Sequence, residues 1–322
     1  MKTFTAHAIW SARTRISGFI KPTPIIYSAS LSSKLGAEVY LKPECFQVAG
    51  SFKVRGACNK VAALKQQGEN RLLITCSSGN HGTALAYAAD TLAYRAPVVF
   101  VPEDADSTKV NRIRSYGAEV RAEGKDFSET YEIAQAYVQR SGGLYVHSHS
   151  DNEIIAGQGT IGLELLEELP DLDTVIVPVG GGGLISGVAT AVKIGAPDAE
   201  VFGVEAAAAP GAYLSFRDGH CHESVEIKPS LADGLLGTLT PLTYSIAKKL
   251  VHSIITVEET EIAAALEMLL EHEQIIAEGS SVVGLAAAMT GKLNLGGKKA
   301  VFVLTGRNIS KEKFLRAVID RR

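Results

Sequence analysis

An α/β architecture, built from mainly parallel sheets covered by helices and divided into two domains, is what this chain's pattern predicts. Three observations carry the expectation. Short β-branched apolar runs recur along the chain, and each is followed by a segment of helical periodicity. The runs also lack the apolar–polar alternation of a strand with one wet face, which is how strands buried on both faces read.

The elements follow in order. "RLLITC" (71–76) reads as a strand leading into the helical "GNHGTALAYAAD" (79–90), and "APVVFV" (96–101) leads into "DSTKVNRIRSYG" (106–117). "DTVIVPV" (173–179) precedes "GGLISGVATAVKIG" (182–195), while "AEVFGVE" (199–205) and "KAVFVLT" (299–305) are further strands of the same kind. No fixed-period repeat and no low-complexity linker interrupts the series, so domain boundaries fall in ordinary loops. The expected division is a small domain at 71–145 inserted into a large one made of 1–70 plus 146–322.

Composition narrows the function. The 322 residues are 46% hydrophobic and 21% charged with a formal net charge of -3, an ordinary globular balance that gives no reason to expect nucleic acid or an anionic membrane as partner. Four scattered cysteines without a C-x-x-C pair argue against a zinc site or a disulfide framework and suggest a reducing, cytoplasmic setting. The opening "MKTFTAHAIWSARTRI" has no apolar core of signal-peptide length. The expected partner is a small molecule.

In open α/β sheets ligands gather where strands end and helices begin. The loop "PVGGGGLISGVA" (178–189) places Gly180, Gly181, Gly182, Gly183 and Leu184 at such a point. Glycines let the backbone approach a ligand closely, and N–H groups opening a helix favour an anion, so this loop is read as a phosphate site. A tight turn seldom needs four glycines. The dinucleotide spacing fails, because counting from Gly181 it reaches Ser186 and from Gly182 it meets Leu184, and no G-x-x-x-x-G-K-[ST] occurs. A phosphate monoester fits better. In "CSSGNHGTALAYAA" (76–89), Ser77, Ser78, Gly79, Asn80 and His81 crowd hydroxyl, amide and backbone donors at a helix start, more than capping requires. The turn in "FVLTGRNIS" (302–310) carries no signal on its own.

Lys53, in "AGSFKVRGA" (49–57), sits among small and apolar residues. Desolvation lowers an amine's pKa, and a neutral amine can form a Schiff base with a carbonyl. An aldehyde joined to one phosphate is pyridoxal 5′-phosphate, and that is the cofactor expected.

These motifs carry a resemblance over essentially the whole chain to the serine/threonine dehydratase and serine racemase family of pyridoxal-phosphate enzymes. Ser51 to Ala57 resembles its S-F-K-x-R-G-A lysine motif, Ser77 to Gly82 its S-S-G-N-H-G segment, and Gly180 to Leu184 its phosphate loop. "IAGQGTIGLEL" (155–165), "LADG" (231–234) and "AEGSSVVGLAA" (277–287) are also similar. The resemblance implies the two-domain fold shared with cysteine synthase and the tryptophan synthase β subunit. It implies dehydration and deamination of a β-hydroxy α-amino acid to a keto acid and ammonia.

Residue roles come with it. Lys53 would hold the cofactor and act as general base; Phe52 and the backbone near Gly234 would flank its ring; Asn80 would bond the ring hydroxyl. Thr305 would face the pyridine nitrogen, and Ser77 to His81 would meet the substrate. Ser78 takes the place of the racemase acid/base, which leaves amino-acid racemisation open. Departures bear on specificity. "VHSHSDNEIIAGQGT" lacks the family's two prolines and puts His149 near the substrate, and Arg307 replaces a glycine, where it would bind a second carboxylate or point to solvent. "GRN" is similar to dehydratases linked to hydroxyectoine utilisation, and 3-hydroxyaspartate is another candidate substrate. A β-replacement synthase is the further alternative, which the lysine motif disfavours. For the family's divalent cation, Glu205 and Ala209 match the ligand segment but Gly211 stands where an aspartate is expected, so metal dependence is expected to be weak or absent. The resemblance also implies a homodimer. No amino-acid-sensing domain follows the last motif, so feedback inhibition by isoleucine is not expected.

Overall fold

The computed structural model describes residues 4–319. Its strands are β1 (Ile26–Tyr27), β2 (Glu38–Lys42), β3 (Leu73–Cys76), β4 (Val98–Val101), β5 (Glu119–Ala122), β6 (Leu144–Tyr145), β7 (Thr174–Pro178), β8 (Glu200–Ala206), β9 (Ser253–Val257) and β10 (Lys299–Val303). The helices are α1 (Ala6–Ile16), α2 (Ala29–Leu35), α3 (Lys53–Gln66), α4 (Asn80–Thr91), α5 (Ser107–Arg114), α6 (Phe127–Ser141), α7 (Asn152–Glu168), α8 (Gly183–Gly195), α9 (Gly211–Asp218), α10 (Pro241–Leu250), α11 (Glu259–Glu273), α12 (Gly279–Met289) and α13 (Lys311–Ile319).

Two sheets organise these elements. One has the order β1-β2-β10-β7-β8-β9 and the other β5-β4-β3-β6. Every pairing is parallel except β1 with β2. The central strands are buried on both faces: every residue of β3, β4 and β7 is buried, which is why their runs show no alternation. The five strands and three helices expected from the sequence all form, with ends shifted by one to three residues: most are trimmed, while β8 and α4 each run one residue further. The short and edge strands β1, β2, β5, β6 and β9 were not expected; their burial is mixed or partial, so they carry weak apolar runs.

Helix α7 is the spine. A Cβ on Gly157 would lie 2.5 Å from the Arg55 carbonyl oxygen and 2.6 Å from Gly56 Cα, so α3 and α7 meet backbone to backbone. On another face, a Cβ on Gly187 would lie 2.4 Å from the Ile155 carbonyl oxygen, and one on Gly162 would lie 2.7 Å from Ala191 Cβ. The helices starting at Lys53 and at Gly183 are thus pressed onto one rod.

Beneath α3 lies a buried ionic cluster. The Arg55 guanidinium donates to Glu44 (2.8 Å to each oxygen), to Glu164 (2.6 and 2.9 Å) and to Thr160 Oγ1 (3.1 Å). Lys42 Nζ donates to Glu164 (2.6 Å) and to the Thr23 carbonyl (2.7 Å), and Thr23 Oγ1 donates to Glu44 (2.6 Å). Two cations meet two carboxylates, so the cluster is neutral as well as hydrogen-bonded, which is the condition for burying charge. Among the described residues no helix is long and apolar enough to cross a membrane.

Candidate active site

The segments that follow β3, β6, β7 and β10 meet around the start of α3: Asn80 bonds Glu278 and Asn308, Lys53 bonds the Ser148 carbonyl, and Gly181 packs on the His149 ring. Lys53 is the first residue of α3, held there because Phe52 N–H donates to the Thr305 carbonyl (3.0 Å) and Ser51 bridges to Gly306. Its Nζ donates to the Ser148 carbonyl at 3.0 Å and lies 5.1 Å from the centre of the Phe52 ring. Burial without a carboxylate bonded to it pushes the Lys53 pKa down to about 8, while the more distant charge of Glu278 pulls it back up. An amine shifted this far has a far larger neutral fraction near physiological pH than an ordinary lysine.

Opposite stands the turn before α4. Asn80 is the first helical residue, Ser77 Oγ accepts the Gly79 N–H (3.3 Å), and Ser78 is half-buried between them. The Asn80 side chain is clamped: its Nδ2 donates to Glu278 Oε1 at 2.7 Å and its Oδ1 accepts from Asn308 Nδ2 at 2.5 Å. Glu278 also accepts the Asn308 N–H (3.1 Å), and Arg112 donates to Asn308 Oδ1. Burial, and then the charge of Asp233, push the Glu278 pKa up to about 7. Glu278 and Asn308 were not singled out from the sequence as site residues; their partners lie about two hundred positions away, and only a glutamate within an otherwise apolar run signalled them.

Gly180 to Gly183 form a cradle between β7 and α8. A Cβ on Gly180 would lie 2.9 Å from Leu235 Cα, and one on Gly181 would lie 2.3 Å from the His149 ring. Gly182 has φ +80°, and a Cβ there would lie 2.4 Å from Leu239 Cδ2; one on Gly183 would lie 2.9 Å from His149 Cα. The first N–H groups of α8 have no acceptor within their own helix and point out of its positive end. Leu184 is buried behind them. Gly234 lies in the turn that touches Gly180, its N–H donating to Ser280 Oγ (3.0 Å). Thr305 is buried with its Oγ1 3.1 Å from Ser281 Oγ.

Three histidines surround the amine. His81 Nε2 lies 3.1 Å from the Val146 carbonyl and donates to it, leaving Nδ1 buried and unpartnered. Burial and the charge of Lys53 push its pKa down to about 3. His147 Nδ1 accepts the N–H groups of His149 (3.3 Å) and Ser150 (2.9 Å), and burial pushes its pKa down to about 4. His149 packs edge-on against His147 with ring centres 4.4 Å apart and bonds Ser148 Oγ (2.9 Å); burial holds it well below the ordinary value. All three rings are neutral.

Three positions fall elsewhere. Arg307 is exposed, with its backbone tied in at both groups, N–H to the Gly50 carbonyl (2.9 Å) and carbonyl to the Ile309 N–H (2.9 Å); of the two alternatives for this residue, pointing to solvent is what the geometry presents. The cation ligands do not assemble either. Glu205 turns its carboxylate onto the N–H groups of Ala212 (3.1 Å) and Tyr213 (2.6 Å), and the Ala209 carbonyl accepts the Gly211 N–H (2.9 Å). Among the described residues no three His, Cys, Asp or Glu side chains are grouped to hold a metal ion.

The donor set suits an aldehyde with one phosphate: an amine of lowered pKa, an N–H cradle that a single methyl would fill, and a fixed amide beside them. Comparison with known proteins agrees. The family described as "Pyridoxal-phosphate dependent enzyme" matches residues 16–306. The chain is 42% identical to an L-threonine ammonia-lyase of Thermotoga maritima, over 95% of this chain and 76% of that protein. It is 38% identical to a serine racemase of Arabidopsis thaliana, over 88% of this chain and 85% of that one. The solved structure of maize serine racemase superposes with a TM-score of 0.92 at 31% identity, covering 97% and 96% of the two chains. With the cradle, the buried amine and near full-length similarity in agreement, this chain belongs to the pyridoxal-phosphate dependent enzymes.

Proposed function

We propose that the protein is an ammonia-lyase that removes water from a β-hydroxy α-amino acid, threonine or serine, and releases a keto acid and ammonia. The observation that carries this reading is Lys53: a buried amine depressed to about 8 and set between a glycine cradle and a helix N-terminus. The similarity to an L-threonine ammonia-lyase supports it.

The residues divide the work. The cofactor, when bound, supplies an electron sink for the substrate's α-carbon. The N–H groups from Gly180 to Gly183 would hold its phosphate, and Lys53 would hold its aldehyde carbon until the substrate's amine takes that place and frees the lysine. Phe52 lies beside Lys53 and shields that position from water. Asn80, fixed by Glu278 and Asn308, presents an amide to the ring hydroxyl. Thr305 would offer the ring nitrogen a hydroxyl and not a carboxylate, a partner that does not favour its protonation. Ser77 to Asn80 receive the substrate carboxylate at the positive end of α4. Lys53 Nζ takes the α-proton; with a pKa near 8 it is neutral often enough to accept it and acidic enough to return it. The neutral histidines add no competing charge.

The test is the visible spectrum of the purified protein before and after borohydride, with mass mapping of the Lys53 peptide. A yellow protein carrying a reduced phosphopyridoxyl group on Lys53 is expected, together with equal amounts of keto acid and ammonia from threonine or serine. A colourless protein that stays unmodified when supplied with the cofactor overturns the reading.

A second activity, racemisation, is favoured by Ser78, a half-buried hydroxyl in the turn before α4, and by the similarity to serine racemases. Ser78→Ala is expected to remove racemisation and spare elimination, read by chiral chromatography beside ammonia release. Equal loss of both sinks the role. We further propose that the four-stranded sheet marks a small domain at 71–145 distinct from the large one, and that the enzyme is a homodimer, with a light-scattering mass twice that of the chain.

A further inference from the structure

The divalent cation implied at Glu205 does not fit this chain. We infer that the N-terminus of α9 takes the cation's place, so that Glu205 positions the phosphate cradle through backbone hydrogen bonds and the enzyme needs no metal.

Glu205 lies near the end of β8, fully buried. Its carboxylate oxygens accept the N–H groups of Ala212 and Tyr213, the second and third residues of α9, one bond to each oxygen. These are the orphan donors of a helix start, and the Glu205 carboxyl oxygens satisfy both, the two N–H bonds pulling against the burial that pushes its pKa up to about 8. α9 has no side-chain cap of its own, since Pro210 precedes it, so Glu205 supplies that cap from another element. The Ala209 carbonyl is likewise occupied, closing a tight turn over Pro210 (φ −84°, ψ 42°) onto the Gly211 N–H.

The third position is closed by shape. A Cβ on Gly211 would lie 2.7 Å from Thr238 Cγ2, so a carboxylate side chain cannot stand there while Thr238 keeps its place. A hard divalent cation takes six or more oxygens, several of them charged. Here one carboxylate is turned into a helix, one carbonyl is turned into a turn, and the remaining position has no side chain.

The cap reaches the cradle in two contacts. Gly211 packs on Thr238, and Leu239 packs on Gly182 with room for no methyl between them. Segment 238–239 is therefore held between α9 and the phosphate loop, and loosening α9 loosens the loop. This link rests on the cofactor reading above, whereas the absence of a metal requirement does not.

The experiment uses the holoenzyme, treated with EDTA and then titrated with calcium, magnesium and manganese while Tm, cofactor affinity and keto-acid formation are followed. The expected result is that no cation shifts Tm or cofactor affinity. A saturable cation-dependent rise in either, lost in Glu205→Ala, overturns the inference whatever the reaction proves to be. Glu205→Ala is expected to weaken cofactor binding by about 2- to 30-fold, the range for losing a helix cap, equally with and without cations. Glu205→Gln, which keeps one acceptor, is expected to recover part of that affinity. Unchanged cofactor affinity in Glu205→Ala overturns the positioning role. Should that variant fail to fold, the wild-type titration and Glu205→Gln, which must then bind more weakly than wild type, decide the matter.

Discussion

Lys53 and Arg55 stand two residues apart in one helix, both cationic by type, Arg55 wholly enclosed and Lys53 half-buried with its amine end desolvated, and they end in opposite chemical states. Arg55 is met on every side: Glu44, Glu164 and Thr160 take its donors, and the carboxylates raise its pKa further against the cost of burial. Lys53 bonds one neutral carbonyl, and burial pulls its pKa down to about 8. The contrast teaches that burial alone does not decide charge. Partners decide it, and a protein that wants a reactive amine withholds them while spending them freely one half-turn away.

That comparison breaks first at Lys53 itself. Lys53→Ala is expected to lower turnover by roughly a thousandfold or more, as loss of a covalent anchor and base does, while leaving Tm nearly unchanged because no ion pair is lost. A large fall in Tm would mean that Lys53 is structural. Arg55→Met should do the reverse, costing about 3–5 kcal/mol of stability because Glu44 and Glu164 are left with Lys42 as their one buried cation, measured by urea denaturation. If Arg55→Met folds at wild-type stability, the cluster is not what anchors α3.

The next effect sharpens the amine's state. Capture of pyridoxal phosphate by cofactor-free protein should rise roughly tenfold between pH 7 and 9 and level off above a midpoint near 8, where the amine is fully neutral. An amine of ordinary pKa would rise about a hundredfold over that range with no plateau, which would refute the depressed value. The smallest effect concerns the neutral histidines. His81 is held to about 3 when folded, against about 6.5 unfolded, so below pH 6.5 the unfolded chain binds a proton that the folded one refuses. Stability should fall by about 1.4 kcal/mol per pH unit from this residue as pH drops from 6 toward 4, and His81→Gln should flatten that slope.

How much of this was readable in the sequence follows from the same physics. The doubly buried strands announced themselves because nothing polar interrupts them, and the glycine loop did because four glycines have few other uses. Lys53 stood out against apolar neighbours. Glu278 and Asn308 did not, since Asn80 reaches them across 198 and 228 residues and only the folded chain brings them together. The turn at 305–308 looked ordinary alone, yet it holds Asn80 and the start of α3. Glu205 was singled out only as a match to a cation-ligand segment, because its partners are backbone N–H groups, which every sequence contains and none displays.

The glycine contacts along α7 have one more consequence. A rigid ring with an aldehyde at one corner and a phosphate at another comes in a single size, so amine and cradle must be kept a fixed span apart. Here α3 and α8 rest on the same rod through bare backbone at Gly157 and Gly187, with no side chains between to bend or swap rotamers. The rod works as a gauge block without adjusting screws: any added methyl changes the gap itself, and no nearby side chain can take up the error.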